Sequence, residues 1–288
     1  MIQVLSGQLL IGLINGSFYA LLSLGLAIIF GLLNVVNFAH GAQYMLGAFV
    51  AWMGLHYCGV GYWWALILTP LLVGLLGIVF ERLCLRRLRG LDALYSLLLT
   101  FGLALVLEGI FQNAFGISGN SYPVPTGLQG GTNLGFMYLP RYRAWVVMVS
   151  TTVCFASWFV IEKTRLGAYL RAGTENPALL QAFGVNVPLM FSLTYGYGAA
   201  LAAFAGVMAA PIYQVTPLMG SSVIIVVFAV VVIGGMGSIV GSIVTGLGLG
   251  LVEGLTKFLY PPASDVVVFV VMALVLLLRP AGLFGRQR

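Results

Sequence analysis

The chain has 288 residues, of which 61% are hydrophobic and only 7% charged, and its formal net charge is +6. A soluble domain carries about 25% charged residues to wet its surface, so a soluble globular fold is excluded. Disorder is excluded too, because disordered chains combine low hydropathy with high charge, whereas the mean hydropathy here is +1.07. The apolar stretches are continuous and lack the period-two alternation of an outer-membrane barrel. The composition therefore predicts an all-α, polytopic membrane helical bundle.

Apolar segments follow one another along the chain, separated by polar or Gly/Pro-rich breaks. The N-terminal one has no basic region before it and no small-residue cleavage site, so we expect a first span and not a signal peptide. We predict eight or nine spans of about 20 residues in a single domain over residues 1–288, with an external loop at 117–142 and a cytoplasmic loop at 162–187. The predicted segments are approximately 8–32, 39–57, 62–80, 93–116, 144–161, 188–210, 219–234, 240–259 and 265–279.

Two breaks interrupt this pattern. The first is the polar stretch from Asn34 to Gly41, and the second is the short glycine-rich link from Gly234 to Ser238, which must form a tight turn if it joins two spans. Interrupted helices in membrane proteins usually line a cavity, because exposed backbone has no hydrogen-bond partner in lipid. The alternative for the first break is internal hydrogen bonding that only stabilises a kink. The predicted pathway or gate residues are Asn34, Asn37, His40, Gly41, Gln43, Gly234, Gly235, Gly237 and Ser238.

Glycine accounts for 38 residues of the chain, nearly twice its usual share of about 7%. Gly246, Gly250 and Gly254 recur every four residues and share one helix face. Small residues let helix backbones approach closely in lipid. We therefore predict a close helix contact along this face.

Basic residues indicate the orientation. Ten of the thirteen Lys and Arg residues fall in three regions: Arg82, Arg86, Arg87 and Arg89; Lys163, Arg165 and Arg171; and Arg279, Arg286 and Arg288. With nine crossings these regions lie on one side of the membrane, and the positive-inside rule makes that side cytoplasmic. The N-terminus is then expected outside and the C-terminus in the cytoplasm.

No residue pattern points to catalysis. Lys163 and Lys257 are the only lysines, and neither ends a G-x-x-x-x-G-K-[ST] loop, so we expect no P-loop ATP site on this chain. The two histidines and three isolated cysteines show no metal-ligand spacing. We expect no catalytic residue, no metal and no cofactor on this chain.

Two carboxylates, Glu108 and Glu253, lie inside predicted apolar segments. A carboxylate at membrane depth is costly unless it is paired or hydrated, so each is a candidate functional group. An ion-coupled secondary transporter would use such a group. The alternative is an interfacial glutamate that reaches headgroup water, and a passive channel is a further possibility for the chain as a whole.

The largest polar stretch between two apolar segments is the loop at 162–187. We predict two short helices split at residues 173–176, with Thr174 as the N-cap of the second and Pro177 in its first turn. Leu179, Leu180 and Phe183 form an apolar patch that could lie on the membrane or in a partner's groove. A helix on the membrane surface is normally rich in Lys and Arg, but residues 173–187 contain none, which favours the groove.

Three further motifs occur in this sequence. They are Leu166-Gly167 through Arg171-Ala172 with Glu175-Asn176-Pro177 and Gly184-Val185-Asn186-Val187; Asn37-Phe38-Ala39-His40-Gly41 with Tyr44-Met45-Leu46-Gly47-Ala48; and Gly234-Gly235-Met236-Gly237-Ser238-Ile239 leading to Gly241. Together they resemble the permease subunits of branched-chain amino-acid ATP-binding-cassette importers. The resemblance covers nearly the whole chain, in order, and the length suits the shorter of the two paired permeases.

The resemblance implies a subunit of the bacterial inner membrane that imports branched-chain or related hydrophobic amino acids, with amides or urea as alternatives. Its expected partners are a homologous second permease, two ATPase subunits that hold the ATP and magnesium, an external substrate-binding protein and membrane lipid, but no nucleic acid. The loop at 162–187 is then expected to couple the permease to an ATPase. The implied ATPase-docking residues are Arg171, Glu175, Asn176, Pro177, Leu179, Leu180, Phe183 and Gly184.

Overall fold

A computed structural model of the protein describes residues 2–33, 35–88, 90–135 and 137–285. The predictions that fall on Asn34, Arg89, Arg286 and Arg288 lie outside the described residues. The helices are α1 (Ile2–Leu33), α2 (Ala39–Cys58), α3 (Tyr62–Leu83), α4 (Ala93–Phe115), α5 (Arg141–Lys163), α6 (Arg165–Glu175), α7 (Pro177–Ala182), α8 (Val187–Ala209), α9 (Met219–Gly234), α10 (Ile239–Leu259) and α11 (Val267–Leu278), and the strands are β1 (Gly131–Asn133) and β2 (Tyr138–Pro140).

The all-α prediction is confirmed. Each predicted apolar segment coincides with one helix, and the remaining two helices, α6 and α7, form the predicted hairpin. Within the described ranges, six helices are long and apolar enough to cross a membrane, namely α1, α3, α4, α5, α8 and α10, whereas α9 and α11 are apolar but shorter. Helices are favoured here because their backbone N–H and C=O groups bond to one another, and lipid offers these groups no other hydrogen-bond partner.

The centre of the bundle is α1, which packs against α5, α8, α9 and α10. Its closest neighbour is α10, whose glycine face meets it as predicted. A Cβ atom on Gly250 would lie 2.3 Å from the carbonyl oxygen of Gly12, and one on Gly246 would lie 2.5 Å from the backbone nitrogen of Ala20. The two backbones therefore touch directly, with no room for side chains between them.

Contacts between helix ends show that the connections alternate between two ends of the bundle. At one end, Tyr62 at the start of α3 and Tyr142 at the start of α5 bring their hydroxyls to 2.9 Å. At the other end, the Ser192 hydroxyl near the start of α8 donates to Glu81 near the end of α3, and the N–H of Leu283 donates to the carbonyl of Ile233 at 2.8 Å. The loop after α3, the α6–α7 hairpin and the C-terminal segment thus share one end, here called the basic end.

The helix that follows the first polar break starts inside the bundle. His40, at the start of α2, donates from Nε2 to the carbonyl of Leu22 at 2.9 Å. Leu22 lies eleven residues before the end of α1, which corresponds to about 16 Å along the helix. Gly41 of α2 contacts the backbone of Gly220, so α9 also begins at this depth. The predicted interruption is therefore confirmed. Because α9 also starts inside the bundle, it is shorter than a full span.

The non-helical segment 35–38 needs hydrogen-bond partners at membrane depth. Thr100 of α4 supplies them, since its hydroxyl accepts from the N–H of Phe38 at 3.2 Å and lies 3.3 Å from the carbonyl of Val36. One side chain from a different helix thus stabilises the break. Its position could not be predicted from local sequence.

Candidate functional site

The polar side chains of the first break are buried and bonded within the chain. Asn37, His40 and Gln43 are at most 5% exposed. The Asn37 amide donates to Gln43 Oε1 at 3.5 Å, and Gln43 Nε2 donates to the hydroxyl of Tyr195 at 3.2 Å. Two buried atoms, Asn37 Oδ1 and His40 Nδ1, have no hydrogen-bond partner among the described residues. This geometry favours internal bonding in the present conformation, and a role of these residues in the pathway stays a prediction.

The glycine-rich link forms the expected tight turn at the basic end. Gly235 and Gly237 have φ values of +98° and +84°, which side chains other than glycine rarely adopt. The hydroxyl of Ser238 accepts from the N–H of Gly241 at 3.0 Å and caps α10. Gly237 contacts Gly31 at the end of α1. The turn is thus enclosed by other parts of the chain in this conformation, and its role as a gate stays a prediction.

A cavity lies elsewhere in the bundle. It has a volume of about 510 Å³ and is bounded by α1, α2, the first turn of α9 and the connection that precedes α9. Sequence reasoning missed this site; the one available signal was Asn15 and Tyr19, two polar-tipped side chains four residues apart in an apolar helix. The lining residues are Asn15, Phe18, Tyr19, Leu22, Tyr44, Tyr213, Gln214, Thr216, Leu218, Met219, Ser222 and Val223.

A polar network lies behind one wall of this cavity. Glu253 of α10 accepts a hydrogen bond from the Tyr19 hydroxyl at 2.9 Å and one from the Asn15 amide at 3.5 Å. It also forms an ion pair with Lys257, one helical turn further along α10. Glu253 is 7% exposed, so its carboxylate is held by groups of the chain in this conformation, and its functional role stays a prediction.

The other intramembrane carboxylate is less enclosed. Glu108 of α4 is partly buried and accepts a hydrogen bond from Gln112 at 3.3 Å. It borders a smaller cavity of about 50 Å³ between α2, α4 and α9, which Gly41 also lines. Within the described ranges, no group of three or more His, Cys, Asp and Glu side chains is placed to hold a metal.

The hairpin between α5 and α8 is built as predicted, with one correction. Pro177 is the first residue of α7, but the N-cap is Asn176, whose side chain accepts from the N–H of Leu179 at 3.0 Å. The Thr174 hydroxyl instead donates to the carbonyl of Arg171 within α6. The predicted Thr174 cap is therefore wrong. Proline disfavours helical geometry in the residue before it, and the break falls at Asn176.

The predicted apolar patch is also only partly correct. Leu180 is 8% exposed and lies against Gly173 inside the hairpin, whereas Leu179 and Phe183 are 56% and 77% exposed. Leu180 therefore stabilises the hairpin and is not available as a docking anchor. The reason is helix geometry, because residues i and i+4 share a face and residue i+1 lies about 100° away from the first.

The hairpin is held against the end of α5. The Arg171 guanidinium donates to the carbonyl of Ile161 at 3.1 Å and pairs with the carboxylate of Glu162 at 3.1 Å. Glu175, Asn176, Pro177 and Gly184 are exposed. Leu179 and Phe183 thus project from an anchored support, and they are called the hairpin patch below.

Comparison with known proteins places these features in a family. Residues 8–276 match the family model described as branched-chain amino acid transport system / permease component. The chain is 33% identical to the high-affinity branched-chain amino acid transport system permease protein BraD of Pseudomonas aeruginosa, with 97% of this chain and 95% of the relative covered. It is 31% identical to LivH of Escherichia coli strain K12, with the same coverage. It is 29% identical to LivM of that organism, with 94% of this chain and 68% of the relative covered. No solved structure matches.

Proposed function

Because the chain belongs to the family of branched-chain amino acid transport system permease components, we propose that it is the membrane-spanning subunit of an ATP-driven importer. Its proposed cargo is a branched-chain or related hydrophobic amino acid delivered by an external binding protein. The names of BraD and LivH, both permease proteins of high-affinity branched-chain amino acid transport systems, support this cargo. An amide or urea importer of the same family is the alternative.

The observation that carries the coupling part of the proposal is the hairpin patch. A bundle that moves solute with the energy of ATP needs a surface through which a separate ATPase can act, since this sequence has no P-loop. The hairpin patch offers two exposed apolar side chains on an anchored support, and Glu175 is the single charged residue between 173 and 187. An anionic leaflet attracts basic segments, so this composition suits a protein groove better than lipid.

A second permease is the proposed partner within the membrane. The chain is similar to two different permease proteins of one organism, LivH and LivM, which are both described as parts of a high-affinity branched-chain amino acid transport system. Two related permeases in such a system are consistent with a paired assembly. The proposed complex then contains two permeases, two ATPases and an external binding protein.

The proposed orientation places the basic end in the cytoplasm. A single cysteine replacing Ser118, in an otherwise cysteine-free chain, should react with a membrane-impermeant maleimide in intact cells, because the segment before α5 lies at the opposite end. A cysteine replacing Ala178 in the hairpin should react only after the membrane is permeabilised, since the positive-inside rule assigns its end to the cytoplasm. The reverse labelling pattern would overturn this orientation.

The function itself is tested by purification and reconstitution. The affinity-tagged chain should co-purify with two P-loop ATPase subunits and a second permease. In proteoliposomes, the complex with its binding protein should take up leucine only when ATP is present on the ATPase side, and collapsing proton and sodium gradients should not change the rate. Uptake that follows an ion gradient without ATP would contradict the proposal and favour a secondary transporter.

A further inference from the structure

The cavity beside α1 has the size and lining of a small-molecule site. Its volume of about 510 Å³ falls in the range of roughly 300–1,000 Å³ that is usual for ligand pockets. Tyr213, Gln214 and Ser222 on its rim are exposed, so it is open to solvent, while Tyr44 and Met219 in its wall are buried. It extends from the connection before α9 to the depth at which α2 and α9 begin.

The hydroxyls of this cavity differ in what they offer to a ligand. The Tyr19 hydroxyl donates to Glu253, and the Tyr213 hydroxyl donates to Asn15 Oδ1 at 3.1 Å. Each has used its single donor on the chain, so each oxygen can only accept from a ligand. A hydroxyl that donates to a carboxylate is also a stronger acceptor. These two groups therefore suit a cationic ammonium.

Tyr44 is different. It is 4% exposed and lines the cavity, yet its hydroxyl has no hydrogen-bond partner among the described residues. The hydroxyl oxygen is accessible from the cavity, so its donor stays available to a ligand. This free donor suits an anionic or carbonyl oxygen of a ligand.

The rest of the lining is apolar. Phe18, Leu22 and Val223 border the cavity together with the tyrosine rings. Aromatic faces attract an ammonium group, and aliphatic side chains favour an apolar ligand group over a polar one. None of the lining side chains is charged. The site therefore fits a ligand that is neutral overall but carries both charges.

We propose that this cavity is an amino-acid site on the permease itself, with the ligand ammonium against the Tyr19 and Tyr213 oxygens and its carboxylate at the Tyr44 hydroxyl. The branched side chain contacts Phe18, Leu22 and Val223. This inference rests on the proposed function, since a permease for another solute has no use for such a site. It also favours hydrophobic amino acids over the alternative cargoes of the family, because urea and small amides lack the apolar group that the lining accommodates.

Substrate protection of a cysteine tests the site. Ser222→Cys, in a chain whose native cysteines are replaced, places a thiol on the cavity rim. In proteoliposomes of the complete complex without its binding protein, millimolar leucine should slow the reaction of this thiol with a membrane-impermeant methanethiosulfonate. The analogue 4-methylpentanoate, which lacks the ammonium, and urea should not slow it. Ser118→Cys, outside the cavity, is the control and should react at the same rate throughout.

Tyr44→Phe in the Ser222→Cys background should raise the leucine concentration for half-protection roughly three- to tenfold, the usual effect of one lost hydrogen bond. Tyr197→Phe is the matched control, because the Tyr197 hydroxyl bonds to Ser157 away from the cavity.

Absence of leucine protection, or equal protection by urea, overturns the site, and the ligand series decides this even if Tyr44→Phe does not fold. ATP-driven leucine uptake without protection refutes only the site, whereas protection without such uptake refutes the proposed function.

Discussion

Replacing Leu179 and Phe183 together by aspartate should release the ATPase subunits and reduce leucine uptake to background, while the helical bundle still folds. Both side chains are largely exposed and contribute little to the core. An apolar anchor at the centre of an interface is worth about 2 kcal/mol or more, so the loss of two weakens binding about a thousandfold. Co-elution of the ATPases with the tagged permease and uptake by proteoliposomes measure the two effects.

The matched control carries the same two charges on the opposite face of the same helix. Ala178 and Gln181 are exposed, and Ala178→Asp with Gln181→Asp should keep both ATPase binding and uptake. Leu180→Asp is unsuitable as a test, because Leu180 is buried in the hairpin and its replacement disrupts folding. Retained ATPase binding after the change at Leu179 and Phe183 would show that the hairpin is a surface helix and that coupling lies elsewhere.

Gly250→Leu should prevent α1 and α10 from packing and leave little folded protein. A Cβ at this position lies 2.3 Å from the Gly12 carbonyl oxygen and 2.4 Å from the Gly16 Cα, and neither backbone atom can move without separating the helices. No hydrophobic effect draws helices together in lipid, so close packing is the main attraction that is lost. We expect a destabilisation of more than about 3 kcal/mol. The monodisperse fraction in mild detergent and the thermal unfolding midpoint measure it.

Gly248→Leu is the control for this prediction. Gly248 lies on the same helix, but nothing would come within 4 Å of a Cβ at this position. This variant should therefore purify and unfold like the unmodified protein. If Gly250→Leu behaves like Gly248→Leu, the α1–α10 contact does not determine the stability of the bundle.

Local sequence was sufficient for most features that depend on composition and spacing along the chain, although it misplaced the N-cap of α7 at Thr174. The apolar segments, the glycine face of α10, the tight turn at Gly235 and Gly237, and the two-part hairpin follow from hydropathy, from the helical repeat and from backbone preferences of glycine and proline. The two breaks could also be located, because polar residues interrupt an apolar segment. All of these are properties of neighbouring residues.

Only the tertiary structure decided which side chains meet. Glu253 lies 234 residues from Tyr19 and 238 from Asn15 along the chain, so no local pattern shows that the carboxylate is paired and supports a cavity wall. The partner of segment 35–38 is Thr100, on a helix that starts more than fifty residues later. Helix geometry separates the face of Leu180 from that of Leu179 and Phe183, but only the tertiary structure shows that the Leu180 face is covered and the other faces solvent. Hydropathy fixes which residues avoid water, but the neighbours that each one finds depend on how the helices pack.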